Sequence, residues 1–184
     1  MNEIQTPIGI VKYANLNPDR PSPDYDRWEC TLLLDKAKPE VQEFVGKIKE
    51  MFAEMQEKYK GTKVNSSNGG IFLSNEVDKE TGEETGMIEL KSTLNCRYIN
   101  KSNNQIVENK PPVLFDASAL PFTPTGLIGR GTTARLMLSV YDYTGNNGCG
   151  ISARLKMAQI INVEYYNSTT ESSFDAVEGG NTAV

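Results

Sequence analysis

The chain has 184 residues, of which 19 are basic and 24 acidic, and it carries a net charge of −5. It contains no histidine, which excludes histidine-based catalytic triads and histidine metal ligands. Its three cysteines, Cys30, Cys96 and Cys149, are far apart, which argues against a zinc site and against a disulfide framework. The composition therefore favours a binding protein without cofactor or metal over an enzyme. The sequence contains no run of about 18 apolar residues, so no membrane span is predicted.

The acidic residues are concentrated in two segments. Residues 76–84 hold five acids and one lysine, and the stretch from Glu164 to the end holds four acids and no base. Each segment has a net charge of −4, so the rest of the chain carries +3. A mildly basic body can present a basic groove although the whole chain is acidic.

The first third of the chain predicts two strands and a helix. Residues 6–14 and 25–35 have strand character, and the proline-rich segment 15–24 between them is a loop. A single amphipathic helix is predicted over 39–60, because its apolar residues recur at i, i+3, i+4 and i+7. Pro39 suits the first position of that helix.

A long strand is predicted at 87–100, after a short strand at 71–74 and an acidic hairpin tip at 75–86. Its polar face includes Lys91 and Arg97. Its predicted buried face consists of Ile88, Leu90, Leu94, Cys96 and Tyr98.

The most regular alternation belongs to residues 132–143 and 151–165, which the turn sequence TGNNGCG at 144–150 joins into a predicted hairpin. In the first strand, the side chains expected to point outward are those of Arg135, Met137, Ser139, Tyr141 and Tyr143. In the second strand, the side chains expected to point inward are those of Ile151, Ala153, Leu155 and Met157. Its outward residues are then Ser152, Arg154, Lys156 and Ala158.

About five long strands with one inserted helix predict an all-β fold. We expect a five-stranded OB-fold barrel, and a β-sandwich is the alternative. The barrel domain is predicted at 1–167, followed by an acidic, disordered C-terminal tail at 168–184.

The outward strand faces combine cations with tyrosines, which is the combination that binds single-stranded nucleic acid through phosphates and stacked bases. We expect these side chains to converge in one furrow. The candidate DNA-binding residues are Arg27, Lys91, Arg97, Arg130, Arg135, Tyr141, Tyr143, Arg154 and Lys156.

The order of four segments resembles the single-stranded DNA-binding proteins of the T-seven-like podoviruses and related phage replication proteins, over roughly residues 8–166. The first two segments are VKYANLNPD and RWECTLLLDKAKPEVQEFVGKIKEMFAEM. The third is GMIELKSTLNCRY, and the most specific is LIGRGTTARLMLSVYDYTGNNGCGISARLKMAQIINVEYY.

The resemblance implies an OB-fold protein that coats single-stranded DNA during phage replication, recombination and repair in the cytoplasm of the bacterial host. It places a base-stacking aromatic at Tyr143, a DNA-facing lysine at Lys91 and an arginine near Arg27. The family's second aromatic falls on Gly145 here, with Tyr141 as a substitute.

The resemblance also implies a homodimer and an acidic tail that contacts the phage DNA polymerase and primase-helicase. The tail residues expected to bind these partners are Glu171, Phe174, Asp175 and Glu178. From the residues alone, the tail has a second interpretation as an inert, solubilising terminus.

Two other functions stay open at this point. The chain could be a structural phage protein, such as a β-sandwich decoration or tail component, that does not bind nucleic acid. It could also be an enzyme in which Asp116, Asp142 or other carboxylates hold Mg²⁺, although no spacing singles out a pair.

Overall fold

The structure, a computed structural model, describes residues 2–19, 21–22, 24–100 and 102–166, without the side chains of residues 67 and 68. The predicted tail at 168–184, with Glu171, Phe174, Asp175 and Glu178, lies outside the described residues.

The described residues form ten strands and one α-helix. The strands before the helix are β1 (Asn2–Gln5), β2 (Gly9–Asn15) and β3 (Arg27–Asp35), and the helix is α1 (Pro39–Lys58). The strands after it are β4 (Leu73–Val77), β5 (Glu84–Asn95), β6 (Arg97–Asn100), β7 (Gln105–Glu108), β8 (Val113–Phe115), β9 (Thr133–Gly145) and β10 (Gly148–Asn162).

Five of the strands close into a barrel. The hydrogen-bonded order is β2, β3, β5, β10 and β9, and β9 returns to β2. All neighbours are antiparallel except β5 and β10, which run parallel and meet at Thr93 and Arg154. This is the predicted five-stranded OB-fold barrel with one inserted helix, and it replaces the β-sandwich alternative.

The other strands extend the barrel. β1 pairs with β9, β4 pairs with β5, and β8 pairs with β10, while β6 and β7 form a separate hairpin. The alternation pattern did not predict β1 or the β6–β7 hairpin, because each of these three strands is only four residues long.

The long strand predicted at 87–100 is interrupted at Cys96. The Cys96 backbone N–H donates to the carbonyl of Asp26 (2.9 Å), and its carbonyl accepts from the N–H of Asn109 (2.7 Å). The interruption starts a new strand, β6, in which Tyr98 is 44% exposed. The expectation that Tyr98 faces the core with Leu94 is therefore wrong.

The phase of β10 also changes partway along the strand. Leu155 lies opposite Leu138, but Met157 lies opposite Met137, so Lys156 is an extra residue in the ladder. Beyond this bulge Ala158 is buried and Met157 is only half-buried. The inward position predicted for Met157 and the outward one predicted for Ala158 are thus reversed.

The barrel interior is filled by leucines from β3, β5, β9 and β10 and by Val11 from β2. Among the side chains with no exposed surface are Leu32, Leu90, Leu136, Leu138 and Leu155. The helix adds the buried side chains of Val41, Phe44, Ile48 and Met55 to the same core. Among the described residues, no helix has the length and apolar character that crossing a membrane requires.

Replacing Leu138 with alanine is expected to lower the free energy of unfolding by about 2–5 kcal/mol, because its fully buried side chain leaves a cavity. Leu120→Ala is the matched control, since Leu120 is 60% exposed, and it should change stability by less than about 0.5 kcal/mol. Urea denaturation of the two variants measures the difference, and similar losses would contradict the assignment of Leu138 to the core.

Candidate nucleic-acid interface

The outer surfaces of β5, β10 and β9 form a shallow groove made of two adjoining depressions. The first, of about 160 Å³, is lined by Lys91, Thr93, Tyr143 and Ser152 among others. The second, of about 70 Å³, is lined by Thr93, Asn95, Tyr98, Asn109, Tyr141 and Arg154 among others. Thr93 lines both depressions, so we treat them as one surface and call it the groove.

Tyr143 lies across a glycine of the neighbouring strand. It is paired with Gly150 in the β9–β10 ladder, and Asn65 donates a hydrogen bond to its hydroxyl (3.2 Å). A Cβ added to Gly150 would come within 2.6 Å of the Tyr143 hydroxyl and 2.5 Å of the Gly70 carbonyl oxygen. Gly150 is therefore part of the site, because it leaves room for the Tyr143 ring. The sequence alone does not show this, since it follows from the strand register.

Tyr141 and Arg154 form the centre of the groove. The Arg154 guanidinium lies 5.4 Å from the centroid of the Tyr141 ring, at cation–π distance. Arg154 is exposed, and no carboxylate lies within ion-pair distance of it among the described residues. Its charge is therefore available to a ligand.

Arg27 lies at the β3 margin of the groove. It is paired with Asn95, which lines the second depression, and its guanidinium lies 4.4 Å from the centroid of the Tyr25 ring. Tyr25 is 64% exposed. Tyr25 and Tyr98 thus add two aromatic rings that are not among the candidates from the sequence. Tyr25 lies just before β3, although the predicted strand begins at residue 25, and Tyr98 is exposed instead of facing the core.

Several predicted cations already have carboxylate partners. Arg97 binds Asp26 (2.6 Å) beside the groove, and this hydrogen bond raises the pKa of Arg97 further. Lys156 binds Glu3 of β1 (3.0 Å). Both side chains border the groove but are occupied.

Arg135 and Arg130 are not brought to the groove. Arg135 precedes Tyr143 by eight residues on β9, which is about 27 Å of strand, and its Nε donates to Gln159 (2.6 Å). Arg130 lies before the start of β9 and hence at the same far end. The structure thus brings Lys91, Tyr141, Tyr143 and Arg154 together and places Arg27 and Arg97 at the margin of the groove. Arg130 and Arg135 lie apart from it.

A salt bridge between Asp142 and Lys58, which we call the brace, supports the groove from the side of α1. Asp142 lies between the two groove tyrosines in sequence, and its Oδ2 accepts hydrogen bonds from Lys58 Nζ (2.5 Å) and Tyr59 Oη (2.7 Å). The hydrogen bonds from Lys58 and then Tyr59 lower the pKa of Asp142 to about 2. The end of α1 thereby fixes the part of β9 that carries Tyr141 and Tyr143.

The two carboxylates considered for Mg²⁺ have structural partners. Asp142 belongs to the brace, and Asp116 accepts backbone hydrogen bonds from Ser118 (2.8 Å) and Leu120 (2.9 Å) in a turn. Within the described part of the chain, no three acidic or cysteine side chains are grouped to hold a metal ion.

The brace predicts an acid-sensitive contribution to stability. The folded-state pKa of Asp142, about 2, lies below its ordinary 3.8, so its stabilisation is complete above about pH 4 and is lost as the pH falls towards 2. Asp142→Asn should therefore unfold more easily than the wild type at pH 7, and the difference should shrink towards zero near pH 2. Urea denaturation across this pH range is the measurement.

The control for this series is Asp24→Asn, which removes an exposed carboxylate that has no ion pair among the described residues. Its stability should follow the wild type at every pH. A stability loss in Asp142→Asn that persisted unchanged at pH 2 would show that the carboxylate charge is not the cause.

No protein-family model matches the sequence, and no curated protein matches it. Solved structures do match. One is gp2.5, a single-stranded DNA-binding protein encoded by bacteriophage T7, with a TM-score of 0.66 and 14% identity over 100% of this chain and 99% of that chain.

Two structures of the single-stranded DNA-binding protein from bacteriophage Enc34 also match. One has a TM-score of 0.59 and 15% identity over 94% of this chain and 87% of that chain. The other, in complex with single-stranded DNA, has a TM-score of 0.59 and 16% identity over 87% of this chain and 85% of that chain. In fold, the chain is thus similar to phage single-stranded DNA-binding proteins, as the sequence resemblance predicted.

Proposed function

We propose that this chain binds single-stranded DNA without strong sequence preference. The observation that carries the proposal is the groove across β5, β10 and β9, which is lined by Tyr141, Tyr143 and Arg154, a cation with no ion pair among the described residues. The structural similarity supports it, because the T7 and Enc34 proteins are single-stranded DNA-binding proteins and one Enc34 structure contains the DNA.

In this proposal the tyrosines bind the bases. Tyr141 and Tyr143 are two residues apart on one strand face, so both rings are presented to the same side of the sheet. A ring can stack on any base, which gives affinity without sequence preference, at about 1–3 kcal/mol per base. Ser152 of β10 and Thr93 of β5 also line the groove and supply hydroxyl groups to it.

Arg154 binds phosphate, and the margin residues extend the binding path. The strands from β3 to β9 span three inter-strand spacings, or about 14 Å, with Tyr25 and Arg27 at one side and Tyr143 at the other. A strand that crosses the sheet in this direction meets aromatic side chains on both sides of Arg154.

The proposal extends to the role in the phage, the oligomeric state and the tail partners. The protein coats single-stranded DNA in phage replication, recombination and repair, it forms a homodimer, and its tail contacts the phage DNA polymerase and primase-helicase through Glu171, Phe174, Asp175 and Glu178. The support for these three points is the family resemblance of the sequence. Arg130, Arg135 and Lys156 are secondary candidates for DNA contact, because they lie outside the groove or are paired.

Titration of a fluorescent oligo-dT with the protein at low salt tests the function. Binding is expected, and Tyr143→Ala should weaken it by about 5- to 100-fold, because a stacking platform is lost. Tyr166→Ala is the control, since Tyr166 is exposed and its backbone is bound to Leu127 away from the groove. Absence of binding by the wild type would overturn the proposal and favour a structural role.

Gly150→Ala should weaken oligo-dT binding nearly as much as Tyr143→Ala, because the added methyl group collides with the Tyr143 ring and with the Gly70 carbonyl and so displaces this side of the groove. Gly145→Ala is a control in the same hairpin, since a Cβ at Gly145 meets no atom within 4 Å. Fluorescence anisotropy compares the two variants. Equal affinities would show that the position of the Tyr143 ring does not matter for binding.

A further inference from the structure

The two cations that flank Arg154 are neutralised by carboxylates of the same chain. The Arg27 guanidinium holds Glu29 through Nε (2.8 Å) and Nη2 (2.6 Å), and Lys91 holds Glu89 (3.0 Å). Both acids are on the outer face of the barrel beside the cation that they bind. Neither acid was selected from the sequence, because the alternation shows only that it shares a face with the cation.

Glu29 reaches into the row of side chains that forms the groove. It is paired with Thr93 across the β3–β5 ladder, and Thr93 is paired with Arg154 across the β5–β10 ladder. Its side chain is only 12% exposed. The Glu29 carboxylate is therefore held on Arg27 and is largely shielded from water.

Glu89 is held by two lysines. Its Oε1 binds Lys91 (3.0 Å) and its Oε2 binds Lys12 (2.7 Å), and its side chain is 14% exposed. Burial raises the pKa of Glu89, but the hydrogen bonds from Lys12 and Lys91 outweigh burial and lower it overall. Glu89 is consequently charged at neutral pH.

A phosphate that approaches Arg27 or Lys91 must compete with these carboxylates. If it wins, Glu29 loses its cation or Glu89 loses one of its two lysines, and that cost reduces the gain from the new contact. If it loses, the cation contributes little to binding. Arg154 does not face this competition from any described residue: its guanidinium lies over the Tyr141 ring, and no described carboxylate is within ion-pair distance of it.

We propose that Glu29 and Glu89 are built-in competitors of the DNA phosphates and set the affinity of the groove. This inference rests on the proposed function and deepens it. The groove then holds DNA mainly by base stacking and by Arg154, which has no ion pair among the described residues, and its binding is weakly dependent on salt. The two acids keep the protein from holding the strand too tightly to be displaced.

The test compares Glu29→Gln and Glu89→Gln with the wild type in oligo-dT titrations of the full chain over a range of salt concentrations. Each variant should bind about two- to fivefold more tightly at low salt, because its cation no longer has a competing charge. The slope of log K against log salt should become steeper by about 0.7 in each.

Glu43→Gln is the matched control. It makes the same change in net charge, but Glu43 is exposed on α1 and binds Lys47 one helical turn away. Its affinity and slope should equal those of the wild type. Equal gains in all three variants would assign the effect to overall charge and overturn the proposal.

The wild-type slope is a second measurement that needs no variant. One or two neutralised phosphates correspond to a slope of roughly −0.7 to −1.4. A slope of about −2.1 or steeper corresponds to three or more phosphates and would show that Arg27 and Lys91 already bind phosphate, which overturns the proposal. If the wild type binds and the Glu29 and Glu89 variants have the same affinity and slope as the wild type, this inference alone is overturned. If none of the proteins binds, the proposed function is overturned as well.

Discussion

The parallel pairing of β5 with β10 is the constraint on which the candidate site depends. The two strands are separated by more than fifty residues of chain, and they meet where Thr93 lies opposite Arg154. This contact closes the barrel, which buries the leucine core, and it also places Lys91 in the same depression as Tyr143 of β9. Barrel closure and groove assembly are therefore the same event.

The groove is held rigid from both sides of β9. On the outer side, Gly150 lets the Tyr143 ring lie against the backbone of β10. On the helix side, Lys58 and Tyr59 fix Asp142, the residue between the two tyrosines. Aromatic rings that are already oriented lose less conformational entropy when a base stacks on them, so this rigidity favours binding.

The sequence predicted the barrel, the helix and the outward tyrosines because these follow from short-range alternation and a tight hairpin. A shared strand face alone does not bring Arg135 to Tyr143, because eight residues of β9 separate them, and this spacing is already present in the sequence. The sequence could not predict Tyr98, which depends on the hydrogen bonds of Cys96 to distant loops. Ion pairs such as that of Arg27 depend on rotamers and register, which composition does not contain.

The extra residue at Lys156 divides β10 into two segments with opposite side-chain parity. The segment before it presents Ser152 and Arg154 to the groove, and the segment after it buries Ala158 and Ile160 in the core. Because the irregularity shifts the alternation, the residues that face the groove and those that fill the far end of the barrel belong to different stretches of the strand. The ligand-facing stretch can therefore change its chemistry without altering which residues fill the far end of the barrel.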